Sequence, residues 1–155
     1  MASAAARFEE LGFMAMANTY LETEVATASP LRLHLMVVEA AIRYARRAGA
    51  ALEAGDAHGA AQAFARSRES VGELIAAIRP DPNAELSERL RALFVYVVRQ
   101  LAQAELRSDA ALLQSALHVL ELHRETWLAL ISQLKSAHAV DATTMPSDSS
   151  RSWLS

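Results

Sequence analysis

His118 and His123 are the side chains whose type and spacing first invite a chemical reading. Two imidazoles on one helix can hold a metal ion, or one of them can accept a phosphoryl group. A separation of five residues turns the second ring about 140° from the first around a helix, so the two cannot share an ion as an i, i+4 pair does. Four-helix proteins that carry metal use Glu-x-x-His pairs, and no Glu in this chain has a His three residues later. A phosphoacceptor role for His118 finds no support in Val119, Leu120, Glu121 and Leu122, which supply neither a neighbouring Lys nor a small residue to admit a partner's active site. Both histidines are therefore expected to be surface or flanking residues. The chain has no Cys, which excludes disulfides, thiolate metal sites and a Cys nucleophile. Nor does it carry a P-loop, GxGxxG, HExxH or GxSxG motif, so the residues point to a protein that is not an enzyme and uses no cofactor or metal.

Composition narrows the partners. At 155 residues, 52% apolar and 21% charged, the chain suffices for one domain. Fourteen Arg and the single Lys135 are scattered among eighteen acids for a net charge of −3, leaving no basic stripe for nucleic acid. No window approaches ~18 uninterrupted apolar residues, and the segment 1–6 lacks the features of a signal peptide. No membrane insertion and a cytoplasmic location are expected.

The elements that must position any functional surface are helical. Ser29-Pro30 reads as a helix start, because the Ser oxygen can accept an orphan amide and Pro at the first position loses no needed donor. Leu31, Leu35, Val38, Ile42, Ala45 and Leu52 then form one apolar seam, which Gly55 closes. Asp56 caps a second helix with Ala60, Phe64, Val71, Leu74, Ile75 and Ile78 inward, and Pro80 and Pro82 stop it. Asn83 is the expected cap of a third, with Leu86, Leu90, Leu93, Phe94, Val97, Leu101 and Ala104 inward. After the break at Arg107-Ser108-Asp109 comes the longest helix, with the seam Leu113, Leu117, Leu120, Trp127, Ile131 and Leu134 and with Arg124 snorkelling from the same line. Four helices joined by short connections predict an all-α, antiparallel up-down four-helix bundle over residues 20–139. Residues 1–19 read as an N-terminal arm with a short additional helical segment, and 140–155, which includes Trp153, as a disordered tail.

Two helices carry more apolar surface than such a core requires. The first is apolar over roughly 220° of arc, where a core-facing stripe takes somewhat more than ~100°. Leu33, Met36, Val37, Ala40 and Tyr44 lie well round from its seam, and Val95, Val98, Ala102 and Leu106 do the same on the third helix. Apolar surface of this kind is covered either by packing against the same chain or a second copy, or by a partner. The two helices are diagonal in an up-down bundle, so a partner using both must wrap round an intervening helix, which suits an extended or partly helical peptide.

Specific residues then become recognisable. Tyr20, the segment Val25-Ala26-Thr27-Ala28-Ser29-Pro30, Leu33, Met36, Ala41 and Ile42 resemble the opening of the FliS family of flagellar secretion chaperones. Leu90, Leu93-Phe94-Val95-Tyr96, Arg99, Leu101, Ala104, Asp109 and Leu122-His123-Arg124-Glu125-Thr126-Trp127 resemble that family's third and fourth helices, and the likeness covers about residues 20–130. Val38 and Phe94 stand where the family usually has Tyr, Ala40 where it has Gly, and Glu105 where it has Asn.

The resemblance implies a chaperone that binds the disordered C-terminal region of flagellin, masks its apolar face against premature polymerisation and helps deliver it to the type III export gate through FlhA. It also implies that Tyr20 and the segment 25–30 are a family signature that anchors the arm; the arm's own apolar residues suit it to cover the groove until a client displaces it. A state that is monomeric without client is expected. The alternatives are a helical adaptor, since Ala54-Gly55-Asp56 with Ala60, Phe64 and Ala65 resembles one tetratricopeptide turn without a second copy, and a self-associating structural bundle.

Overall fold

The computed structural model describes residues 29–79 and 83–144, and these form an antiparallel bundle of α1 (Pro30–Glu53), α2 (Ala57–Ala76), α3 (Ala84–Arg107) and α4 (Ala110–Thr144). Each helix packs on the next and α4 closes back on α1, so α1 and α3 stand on one diagonal and α2 and α4 on the other. Tyr20, Val25, Thr27 and Ala28, with the arm, Pro80, Pro82 and Trp153, lie outside the described residues.

The helix ends follow local chemistry. Ser29 Oγ accepts from the Arg32 amide at 3.2 Å with Pro30 in the first helical position. Gly55 takes φ +70°, a left-handed conformation that favours glycine, and ends the α1 turn. Asp56 Oδ1 accepts from Gly59 N at 2.9 Å, and Asp109 Oδ1 from Ala111 N at 2.9 Å. Asn83 differs from expectation: it occupies the cap position of α3, but its side chain makes no capping bond. The fourth helix runs on through Thr144, past the boundary at residue 140, because no Pro or Gly interrupts the alanine-rich stretch before Pro146.

Helix separation is set by side-chain size. The closest approach is α1 against α2, where Ser67 Oγ donates to the Ala41 carbonyl at 2.8 Å. In antiparallel register that bond brings Ala63 opposite Ala45 and Ala60 opposite Ala48, all buried, so small side chains bring the backbones together. On the other side of α1, a Cβ at Gly49 would meet Leu113 of α4 at 3.1 Å. Phe64, Phe94, Leu101, Leu113, Leu120 and Trp127 fill the centre. Leu35, Leu52, Ile75, Leu93 and Ile131, expected in the seams, pack half-buried against this core, while Ala41, Ala48, Ala116 and Leu130 join it. Arg124 leaves its seam to donate from Nε to Glu39 Oε1 at 3.1 Å, and Arg46 pairs with Glu121 at 2.6 Å, so ion pairs line the α1–α4 edge.

Candidate functional site

The surplus apolar residues of α1 emerge as a band on its outer surface. Leu33 and Met36 are 50% and 54% exposed, Ala40 and Tyr44 are half-buried, and Val37 leans on the core. Tyr44 lines a cleft with Gln62, Ala63, Arg66 and Glu69, which places this band on the α2 side of α1. On α3, Leu106 is 84% exposed, Ala102 is exposed, and Val95 and Val98 are half-buried, Val98 against the core. Val98, Ala102 and Glu105 share one helical edge, and Glu105 forms an ion pair with Arg68 of α2. The α3 band therefore also borders α2.

The two bands are not brought into contact, as their diagonal placement requires, but they flank the same helix. Sequence reasoning missed what lies between them. The surface of α2 that turns toward α3 presents Ala61, Ala65, Gly72 and Ala76, all exposed. A Cβ placed on Gly72 would meet nothing within 4 Å. The edge of α2 toward α3 is thus low and open, whereas its side toward the α1 band presents the exposed polar side chains of Gln62, Arg66 and Glu69. The spacing of these four residues on one helical edge was the available signal.

The second omission is a buried histidine pair. His123 is 5% exposed, not a surface or flanking residue, and its Nε2 lies 2.9 Å from Nε2 of His34, a residue the seam assignment passed over. The two rings meet Trp127 and Phe94, with His34 4.0 Å from the Trp127 ring centroid and His123 5.1 Å from that of Phe94. Trp127 Nε1 donates to the Leu31 carbonyl at 2.9 Å, fixing the indole against the start of α1. Burial lowers His34 to about 4; burial, then the charge of His34, lower His123 to about 3. Both rings are therefore neutral near pH 7, and with one donating and the other accepting the pair holds α1 to α4. His118 is exposed. Among the described residues no cluster of three or more His, Asp or Glu could hold a metal, and no helix is long and apolar enough to cross a membrane.

Among the described residues these bands offer apolar surface, and comparison with known proteins gives the family. The family model described as flagellar protein FliS matches residues 13–134. The flagellar secretion chaperone FliS of Bacillus subtilis (strain 168) is 28% identical over 122 residues, covering 78% of this chain and 90% of that protein. Its counterpart in Salmonella typhimurium (strain LT2) is 30% identical over 117 residues, covering 75% and 87% respectively. The matched stretch takes in α1, α2 and α3 whole and α4 through Leu134, and the chain belongs to the FliS family of flagellar proteins.

Proposed function

We propose that this protein is a cytoplasmic export chaperone that binds the C-terminal region of flagellin, masks its apolar face against premature polymerisation, and helps deliver it to the type III export gate, with FlhA as a second partner. The observation that carries this reading is the pair of partly exposed apolar bands, Leu33, Met36, Val37, Ala40 and Tyr44 on α1 and Val95, Val98, Ala102 and Leu106 on α3, on either side of α2. A globular partner would meet one band or the other. A segment that is disordered alone can wrap from α1 across α2 to α3, folding as it binds. Its ordering entropy offsets part of the burial energy, which keeps the complex releasable at the export gate. Binding and release require no bond chemistry, in keeping with a non-enzyme.

Titration calorimetry with a peptide covering the C-terminal region of flagellin from the same genome tests the reading. One-to-one binding with a negative heat-capacity change is expected, and tighter binding by a form lacking residues 1–18 is expected if the arm covers the groove. Absence of binding at tens of micromolar would sink flagellin as the client, and gel filtration would then test the bands for self-association.

A further inference from the structure

The apolar band of α1 has a charged margin on which two arginines form none of the ion pairs of the described residues, although Arg47 shares a cleft with Asp56 and Glu69. Arg43 and Arg47 stand one turn apart on either side of Tyr44, and their guanidinium carbons lie 5.4 and 5.5 Å from its ring centroid. The ring holds both cations at the edge of the band, where a cation over an aromatic face is favoured. Like charges at i and i+4 disfavour one another, and neither residue is among the ion pairs formed by the described residues. The neighbouring Arg46 and Arg124 are neutralised by Glu121 and Glu39. The positive charge left over on this side of α1 is thus concentrated beside Tyr44. It is largest on this helix, which carries four arginines against two glutamates, where α3 carries four against three, in a chain of net charge −3.

We propose that Arg43 and Arg47 form an acid-reading edge of the client groove, and that the segment lying on α1 is an amphipathic helix with carboxylate side chains along the margin of its apolar stripe. This rests on the chaperone reading and adds the chemistry of the client at that site. A carboxylate placed between the two guanidinium groups relieves their mutual repulsion and accepts charge-assisted hydrogen bonds, while the adjoining apolar stripe covers Met36, Ala40 and Tyr44. The same charges disfavour a second copy as occupant. A two-fold interface through α1 gathers the arginine-bearing patches of both protomers into one contact.

Two designed helical peptides with one apolar stripe, flanked by Glu in the first and by Lys in the second, test this without assuming the identity of the client. Titrated into the full chain at low salt, the Glu-flanked peptide is expected to bind about tenfold more tightly, a modest ratio for two solvent-exposed contacts. The ratio is expected to shrink in high salt and to vanish in R43Q/R47Q, whose circular dichroism and melting should match the parent. Equal binding of the two peptides, a preference that survives in R43Q/R47Q, or no binding of either overturns the proposal. A flagellin peptide titrated in parallel separates the two ideas: its failure to bind while the Glu-flanked peptide binds removes flagellin as client and leaves the acid-reading edge standing.

Discussion

His34 on α1 and His123 on α4 face one another across the core at 2.9 Å between their Nε2 atoms, and the bond is lost once both rings are protonated, because neither then has a nitrogen left to accept. The unfolded chain protonates each near 6.5, whereas the folded chain resists until about 4 for His34 and about 3 for His123. The fold is therefore at full stability above the unfolded value. It loses stability as pH falls below 6.5, because the unfolded state takes up protons that the native state does not. Each histidine contributes a slope of about 1.4 kcal/mol per pH unit well inside that window. Melting temperature measured from pH 8 to pH 5 should be level at first and then fall below pH 6.5. The slope should flatten in His34→Leu/His123→Leu, whatever that variant's absolute stability. An unchanged slope would show that the pair is not the acid-sensitive element.

That pair also shows what was legible in the sequence and what was not. Apolar periodicity gives four helices, their order and most of the core, since Val38, Phe64, Phe94, Leu101 and Trp127 sit where the three-four repeat predicts. The same repeat, followed strictly, runs 31, 34, 38, 41, 45, 48 on α1 and 113, 116, 120, 123, 127, 130, 134 on α4, and so it includes both histidines. One titratable ring in a core is costly, and only the register between distant helices reveals that each satisfies the other. Arg124 was placed in the seam, but its neighbour held the seam position, and its partner Glu39 lies on another helix. The bands on α1 and α3 were readable as surplus apolar arc. That both border α2 required the Arg68–Glu105 pair and the cleft beside Tyr44.

The α1–α2 contact should tolerate loss of polarity better than gain of size. Ser67→Ala removes the bond to the Ala41 carbonyl but leaves that carbonyl in its helix, and should cost about 1 kcal/mol. Ser67→Leu forces the two helices apart where residue 67 meets Ala41, and should cost about 1–3 kcal/mol or more. Urea denaturation of the two variants should give that order; the reverse order would mean that the hydrogen bond, not close packing, joins α1 to α2.

On α3, charge can be introduced without touching the core if the residues are chosen by exposure. Val98 packs against the core, so a carboxylate there would disturb folding as well as binding. Ala102 and Leu106 are exposed. Ala102→Glu/Leu106→Glu should keep the helical signal and melt within about 0.5 kcal/mol of the parent, as surface substitutions do, while client binding falls at least tenfold. Wild-type affinity in this variant would remove the α3 band from the client path.

Gly72 separates stability from binding in a single substitution. It lies in the interior of α2 with open space where a Cβ would go, so Gly72→Arg gains helix propensity without a clash. The variant should be more stable by roughly 0.5–1 kcal/mol, because glycine in a helix interior gives up more backbone freedom than other residues. A long cation on the low α3-side edge of α2 would nevertheless obstruct a chain that crosses there from the α1 band to the α3 band. A raised melting temperature together with weakened client binding is the expected result, and calorimetry beside thermal denaturation measures both. Unimpaired binding in the more stable protein would mean that the client does not cross α2 at this level, and that the two bands serve separate segments or separate partners.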